Sequence, residues 1–537
     1  MRRFAALLDR LILTPQRNGK LALLTEYFAE TADPDRGVAV AAITRDLEIK
    51  SIKPAMLRAM IHERMDPVLF DLSYDYVGDL AETISLAWPE RPGANAIPAL
   101  GEVVDALQTA TRAEAQALVE GWLDVLDASG RWALIKLVTG GLRIGVSSRL
   151  AKQALALYGD KPVNEIEELW HGLTIPYEDL FAWLEGVGDK PESAMAAPFR
   201  PVMLAHPIDE EKDLGAIAPE DFAAEWKWDG IRVQAVGEAT ADGVIQRLYS
   251  RTGDDISKAF PDVLGGLPSG AAIDGELLVY DPKAGPYSVA PFSELQKRLN
   301  RKTVSKKLLE TNPAFIRAYD LLWRDGEDLR ALGFLERRRR LERWFEEANP
   351  ERIDLSPMVG FADAEELSRL RARPPMDAIE GLMLKRKTAA YVPGRPKGEW
   401  WKWKREPYII DAVMMYAQRG HGKRSSFYSD YTFGVWREQD GDRVLVPVGK
   451  AYSGFTDAEL QRLDRFVRDN TTDRFGPVRQ VRASEDEGLV LEVAFEGLNR
   501  SSRHKSGVAM RFPRINRIRW DKPAAEADIL ETLEALL

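Results

Sequence analysis

The sequence predicts a multidomain protein with three architectures in succession: an all-α domain over residues 1–195, an α+β domain over 196–405 and a small β-barrel over 406–537. Three observations carry this. Apolar residues recur three and four positions apart in the first part, the period of an amphipathic helix. Past Pro191, Pro198 and Pro201, which with small residues between them read as a linker, apolar residues alternate with period two. Helical stretches then interrupt the alternation repeatedly in the middle part, but at one place only in the last. A chain of 537 residues is too long for one hydrophobic core, and roughly 150 residues per domain suggests three or four.

In the first domain the helical spacing is clearest in Phe4-Ala5-Leu7-Leu8-Leu11 and Leu21-Leu23-Leu24-Tyr27-Phe28. The start resembles a secretory signal, but Asp9 and Arg10 end the apolar run, so it reads as the first amphipathic helix. Thr139-Gly140-Gly141-Leu142-Arg143-Ile144-Gly145-Val146-Ser147 sets three glycines and an arginine between two helices. Such a turn suits backbone N–H groups facing a phosphate, and equally a tight helix–helix corner. In the middle domain, Ile231–Val236, Ile245–Tyr249 and Ala272–Tyr280 read as strands and Leu335–Glu347 as a helix. The last domain has short strands at Tyr408–Val413, Tyr431–Trp436 and Leu489–Val493 around a helix near Asp457–Asp469. Oligonucleotide-binding barrels, the OB-fold, are the common example of that order.

Composition narrows the chemistry. With 45% hydrophobic and 29% charged residues, the chain has the make-up of a globular protein, and no segment approaches the roughly 20 apolar residues of a membrane span. The absence of cysteine excludes disulfides, zinc ribbons and thiol catalysis. Five scattered histidines form no HxH or HxxxH pair, so a metal would be a hard cation held by carboxylates, with magnesium the natural candidate. The net charge of −10 argues against nucleic acid, yet residues 385–405 hold eight Lys/Arg against one acid, and 500–522 another eight against one. Two basic faces on an acidic protein point to a polyanion engaged locally.

The chemistry starts at Glu225-Trp226-Lys227-Trp228-Asp229-Gly230, at the end of a strand. A lysine nucleophile must lose its proton, which calls for desolvation or neighbouring positive charge. The tryptophans would exclude water, and Asp229-Gly230 would turn Lys227 toward a cleft, with Arg232 on the next strand. Alone, this pattern describes a surface lysine before a turn just as well. Downstream, Ser250-Arg251-Thr252-Gly253 closes a strand with an arginine suited to a phosphate or ribose. Asp274-Gly275-Glu276 puts a carboxylate at a strand start, where a hairpin acid is the plain alternative. Tyr319 suits base stacking or a buried core. Glu380-Gly381-Leu382-Met383-Leu384-Lys385 sets an acid and a lysine five apart on a strand. Trp400-Trp401-Lys402-Trp403-Lys404 alternates, so Lys402 and Lys404 share one face with the tryptophans on the other, an arrangement for a triphosphate or a solvated edge.

The ordered series Lys227-x-Asp229-Gly230, Ser250-Arg251-x-Gly253, Asp274-Gly275-Glu276, Tyr319-Asp320, Glu380-Gly381 and Lys402-x-Lys404, completed by Arg519-x-Asp521-Lys522, resembles the motif set of covalent nucleotidyltransferases. Arg511-Phe512-Pro513-Arg514 and the long helical first part make the chain most similar to ATP-dependent DNA ligases of bacterial type, which carry a helical DNA-binding domain, an adenylation domain and an OB-fold domain. The resemblance covers nearly the whole chain.

It implies that Lys227 attacks the α-phosphate of ATP, forming lysyl-AMP and releasing pyrophosphate. Glu225 would contact the adenine amino group, Tyr319 would stack on adenine where relatives often have phenylalanine, and Arg232 and Arg251 would meet the sugar or phosphates. Glu276 and Glu380 would help hold Mg2+ or Mn2+, and Lys402 and Lys404 the α-phosphate. Arg519, Asp521 and Lys522 would orient the pyrophosphate from a mobile terminal barrel. Lys136, Arg143 and Arg514 are the candidate DNA contacts. The family's arginine six residues before Lys402 is absent, since position 396 is proline, and Arg395 is the candidate substitute. The implied partner is nicked double-stranded DNA, the implied state a monomer, and the implied location a bacterial cytoplasm, on the nucleoid through DNA.

Rival readings are an RNA ligase or mRNA-capping-type nucleotidyltransferase, disfavoured by the helical first part, and a catalytically dead DNA-binding scaffold, disfavoured because every chemically necessary position is filled. An NAD-dependent ligase would carry a four-cysteine zinc site. Gly420-His421-Gly422-Lys423-Arg424-Ser425 resembles the end of a phosphate loop, but position 417 is alanine where the first glycine belongs, so it reads as a basic loop.

Overall fold

The computed structural model describes residues 1–89, 96–191, 196–285, 287–299, 301, 303–420, 427–439, 441–501 and 504–537. Part of the linker (192–195) and most of the loop from Gly420 to Ser425 therefore lie outside the described residues. The chain forms two compact units, one of residues 1–159, 175–181 and 407–537, the other of 160–174 and 182–406.

The first part is helical, from Arg2–Leu13 to Glu178–Leu184. The first helix buries Phe4, Ala5, Leu7, Leu8 and Leu11, so the charges that interrupt its apolar run belong to its opposite face. The second, Arg17–Glu30, buries Leu21, Leu24, Tyr27 and Phe28 in the same way. Each fully buried large apolar side chain contributes about 1.5–3 kcal/mol. Helix Ala128–Thr139 ends at Gly140, whose φ of 67° is the left-handed cap that glycine takes without strain. In the turn that follows, the Lys20 ammonium donates to the carbonyls of Ile144 (3.0 Å) and Gly145 (2.8 Å). The Ser147 hydroxyl then accepts from the Leu150 N–H at the start of the next helix. The glycine-rich segment is thus a pinned helix–helix corner, and it leaves Arg143 exposed.

In the middle part, two sheets carry the chemistry. One orders its strands His206–Pro207, Trp400–Lys404, Ile379–Arg386, Phe222–Trp228 and Met358–Val359. The other orders Gly243–Ser250, Ile231–Thr240, Ala271–Val279, Ala314–Arg324 and Glu327–Asp328, with Ile353–Leu355 alongside Ala314–Arg324. Helix Phe334–Ala348 matches the expected one and buries Phe334, Leu341 and Trp344. Asp274-Gly275-Glu276 lies in the middle of strand Ala271–Val279, neither at its start nor in a hairpin. Gly275 is there because a Cβ would lie 2.4 Å from Ile316 Cγ2 on the paired strand.

The last part is β-rich, with helix Asp457–Asn470 closed at its start by a Thr456/Glu459 capping box. The expected OB-fold β-barrel is not confirmed: among the described residues the sheet is a half-barrel. Strand Tyr408–Arg419 pairs with Tyr428–Gln439 along one side, and on the other with Val478–Val481 near one end and Val490–Phe495 near the other. Val490–Phe495 in turn pairs with Arg514–Arg519, and no described pairing joins that strand to Asp442–Ala451 at the opposite edge. Register shifts at Met414/Tyr416 and Gln418/Arg419 bend the long strand, which lets it serve different partners.

Candidate active site

Lys227 and Glu225 sit two apart on strand Phe222–Trp228, so both face the same side of the sheet. Directly across, Lys227 pairs with Gly381 and Gly381 with Lys404, while Glu225 pairs with Met383 and Met383 with Lys402. Residues aligned across a sheet share a face, so Lys402 and Lys404 share that of Lys227. By the same alternation Trp400 belongs to the lysine face, not with Trp401 and Trp403 on the other.

Glu380 should point away from this face, being the neighbour of Gly381. It does not, because the register shifts between Ile379 and Gly381. This bulge turns Glu380 to Lys227, and Oε2 lies 2.5 Å from Nζ. Gly381 has a φ of 150°, and a Cβ there would lie 2.1 Å from the Trp403 carbonyl oxygen. Gly381→Ala is therefore expected to displace Glu380 and slow lysyl-AMP formation about tenfold or more, measured by single-turnover labelling with ATP. Gly230 is equally constrained, since a Cβ would lie 2.5 Å from the Leu277 carbonyl and 2.8 Å from Glu276 Cγ. The Asp229-Gly230 turn thus presses the end of the lysine strand against the strand that bears Glu276.

The electrostatics follow from two carboxylates beside one ammonium. Burial works to remove the Lys227 proton, but Glu380 and then Glu276 outweigh it and hold its pKa above the ordinary lysine value. Glu380 is pushed up by burial, yet the Lys227 charge leaves it below the ordinary carboxylate range. Glu276 has no ion pair among the described residues: burial outweighs the pull of Lys227 and, with Glu380 adding repulsion, pushes it up to about 7. Around them lie more cations. Burial and the charges of Arg395, Lys227, Lys404 and Arg251 lower the Lys402 pKa, and burial with Arg232 and Arg395 lowers that of Arg251. Mutually repelling cations in one place form a site for a polyanion such as a triphosphate.

Arg232 is held rather than free. Its guanidinium donates to Asp274 Oδ2 at 2.6 Å and to the Tyr391 hydroxyl at 3.0 Å, and its charge lies 5.9 Å from the Tyr319 ring centroid. Asp274 is fully buried and also accepts from Gln234 and from the Tyr391 hydroxyl. Glu225 is buried too, paired with Lys385 at 2.5 Å and Arg338 at 3.3 Å. The sequence reading assigned no role to Asp274, Tyr391, Arg338 or Lys385. Only Lys385 carried a signal, as a charge on a strand of apolar neighbours.

The remaining candidates belong to the other compact unit. Arg519 pairs with Asp521 at 3.0 Å and with Asp411 at 3.4 Å, and Lys522 reaches the same Asp411 at 2.7 Å. The Arg519 guanidinium holds Asp521 down to about 2. Asp411 was legible only as an acid inside an apolar strand. Arg514 is half-exposed, 3.7 Å from Glu496. Lys136 is committed to Asp79 at 2.6 Å, the residue that caps helix Leu80–Ala87. Arg143→Ala is therefore expected to weaken nicked-DNA binding and lower the salt-dependence slope by about 1, whereas Lys136→Ala leaves that slope unchanged, measured by titration at several salt concentrations.

A strand-borne lysine beside two carboxylates, rimmed by cations in this order along an α+β domain, defines the nucleotidyltransferase class. Residues 202–404 match the family described as ATP dependent DNA ligase domain, 424–522 the ATP dependent DNA ligase C terminal region, and 1–156 the DNA ligase N terminus. The chain is 36% identical over 431 residues to a probable DNA ligase of Koribacter versatilis, covering 75% of this chain and 71% of that one. It is 31% identical to a probable DNA ligase of Opitutus terrae, covering 99% of this chain and 62% of the relative. Among solved structures, Pmar-Lig_Pre. is similar in fold, with a TM-score of 0.59 at 15% identity over 97% of this chain and 99% of that one. The chain belongs to the ATP-dependent DNA ligase family: it is an enzyme that uses ATP to join DNA.

Proposed function

We propose that the enzyme seals nicks bearing a 5′-phosphate and a 3′-hydroxyl in duplex DNA, by way of lysyl-AMP on Lys227 and an adenylated 5′ end. The observation that carries this is the Lys227–Glu380 pair at the centre of a cation-rimmed sheet face. Lys227 Nζ, once deprotonated, attacks the α-phosphorus, and the bond to the pyrophosphate breaks. Glu380, at 2.5 Å, is the nearest base for the proton. AMP then passes to the DNA 5′-phosphate, and the 3′-hydroxyl displaces it. Lys402, Lys404, Arg251 and Arg395 bind the phosphates, Tyr319 stacks on adenine, Glu225 receives its amino group, and Arg232, fixed by Asp274, faces the ribose or the nick phosphate. Arg519, Asp521 and Lys522 orient the leaving pyrophosphate, and Arg143 and Arg514 contact DNA.

Mg2+, or Mn2+, fits this site. Two carboxylates stand around one ammonium, with Glu276 raised by burial and by the repulsion of Glu380, and a hard cation with oxygen ligands fits such a pair. Among the described residues no group of three or more acids and histidines gathers, so Glu276 and Glu380 would hold the ion together with substrate phosphates and water. When bound, it would neutralise charge at the α-phosphate and weaken the hold of the two carboxylates on the Lys227 proton.

In this reading residues 1–195 form the DNA-binding domain, 196–405 the adenylation domain and 406–537 an OB-fold domain, acting as a monomer in a bacterial cytoplasm. Among the described residues no helix is long and apolar enough to cross a membrane. Sealing of a nicked duplex with ATP and magnesium tests the proposal; a protein that joins nicked RNA in preference to nicked DNA would refute it.

A further inference from the structure

Beneath the proposed adenine site lies an ion pair that the reaction does not consume. The Lys385 ammonium is 2.5 Å from Glu225 Oε2, and each side chain is only 2% exposed. Three rings surround the ammonium, with centroids 4.3 Å away for Tyr319, 4.6 Å for Phe334 and 4.7 Å for Trp400. Tyr319 is also the proposed stacking platform, so the pair lies next to where the base would rest. On its other oxygen Glu225 has Arg338 at 3.3 Å, but that guanidinium is shared with Glu342 at 2.7 Å. Lys385 is thus the closer partner, although the Asp320 carboxylate also acts on its charge.

A cation caged by aromatic rings and removed from water needs a reason, because burying an ammonium costs more than a salt bridge commonly returns. Its chemical effect here is specific. A carboxylate is an acceptor only, so it receives the 6-amino group of adenine but turns its lone pairs toward the 6-oxo oxygen of hypoxanthine or guanine. The Lys385 ammonium, 2.5 Å from Oε2 and itself fixed among three rings, holds that carboxylate in the orientation from which its lone pairs meet the base. We propose that Lys385 is a purine-specificity residue: it fixes the Glu225 carboxylate as the acceptor facing the base, so that the site takes 6-aminopurine and rejects 6-oxopurine triphosphates. This rests on Glu225 as the contact to the base, and it extends that reading to a residue that touches no substrate. Lys385 acts as a positioning residue, through Glu225.

The test is lysyl-nucleotide formation on the full chain with ATP and ITP, comparing wild type, Glu225→Gln, Lys385→Met and Lys385→Arg. Lys385→Met should lower the preference for ATP over ITP about tenfold or more, the range in which loss of one buried hydrogen-bonding preference is felt. Lys385→Arg should restore most of it. An equal loss with both nucleotides in Lys385→Met and Lys385→Arg, or an unchanged preference in Lys385→Met, would overturn the proposal. If Glu225→Gln relaxes the preference while Lys385→Met does not, the Glu225 reading stands and Lys385 has no part in specificity. If neither variant shifts it, both ideas fail together.

Discussion

Replacing Lys227 by alanine is expected to abolish the AMP adduct seen by mass spectrometry after incubation with ATP and magnesium, and to reduce ATP-driven sealing by about four orders of magnitude or more, since in the proposed reaction Lys227 carries the nucleotide. Sealing of a nick whose 5′ end is already adenylated should fall far less, by about tenfold, because that step needs the 3′-hydroxyl and the phosphate-binding cations but no lysine nucleophile. The split matters because Lys227 also holds a structural place, as the partner of Glu380 at 2.5 Å. Its loss leaves Glu380 with Lys404 at 3.6 Å, so general disruption of the site would depress both reactions together. An adduct that persists in the alanine variant would move the nucleophile elsewhere, with Lys402 and Lys404 the neighbours on the same sheet face to examine first.

What could be read from the sequence was what is local. The first helix, the helix near Leu335–Glu347, the alternating strands and the order of the motifs depend on neighbours a few residues away, and the fold realises them. Sheet order does not. The strands beside Lys227 come from positions some 150 residues later, and their register is set by packing across the sheet, so the alignment of Lys227, Gly381 and Lys404 had no local signature. The bulge at Glu380 is the sharpest case. Strict alternation puts Glu380 on the wrong face, and only Gly381, a residue tolerant of a φ of 150°, hinted at an irregularity. Asp274-Gly275-Glu276 misled in the opposite direction. Its composition suits a hairpin, but its glycine answers the crowding of Ile316 in mid-strand. The partners Lys385, Asp274 and Asp411 were illegible as partners, because an ion pair is a property of two distant positions and each half alone is only a charged residue in a strand.

Glu276→Gln should separate stability from function at this site. Burial raises the Glu276 pKa from its model-peptide value of 4.5 to about 7 in the folded chain. Between those values the folded state holds a proton that the unfolded state has released, so stability falls as pH rises through the window, and above about pH 7 the folded protein carries a desolvated surplus charge. Glutamine keeps the shape and removes the charge. In the absence of divalent cations the variant should therefore be the more stable protein at pH 8, by on the order of 1–2 kcal/mol, and should lose that advantage by pH 5, where wild-type Glu276 is itself neutral. Denaturant midpoints at the two pH values measure this, and a variant less stable at pH 8 would show that the carboxylate is compensated in the folded state. Lysyl-AMP formation should move the other way, falling about a hundredfold or more, because an amide can neither balance a divalent cation nor supply the negative charge that the proposed metal site requires. A residue whose removal stabilises the fold while disabling the chemistry is one held in place by function, and the local charge balance at Glu276 predicts that combination.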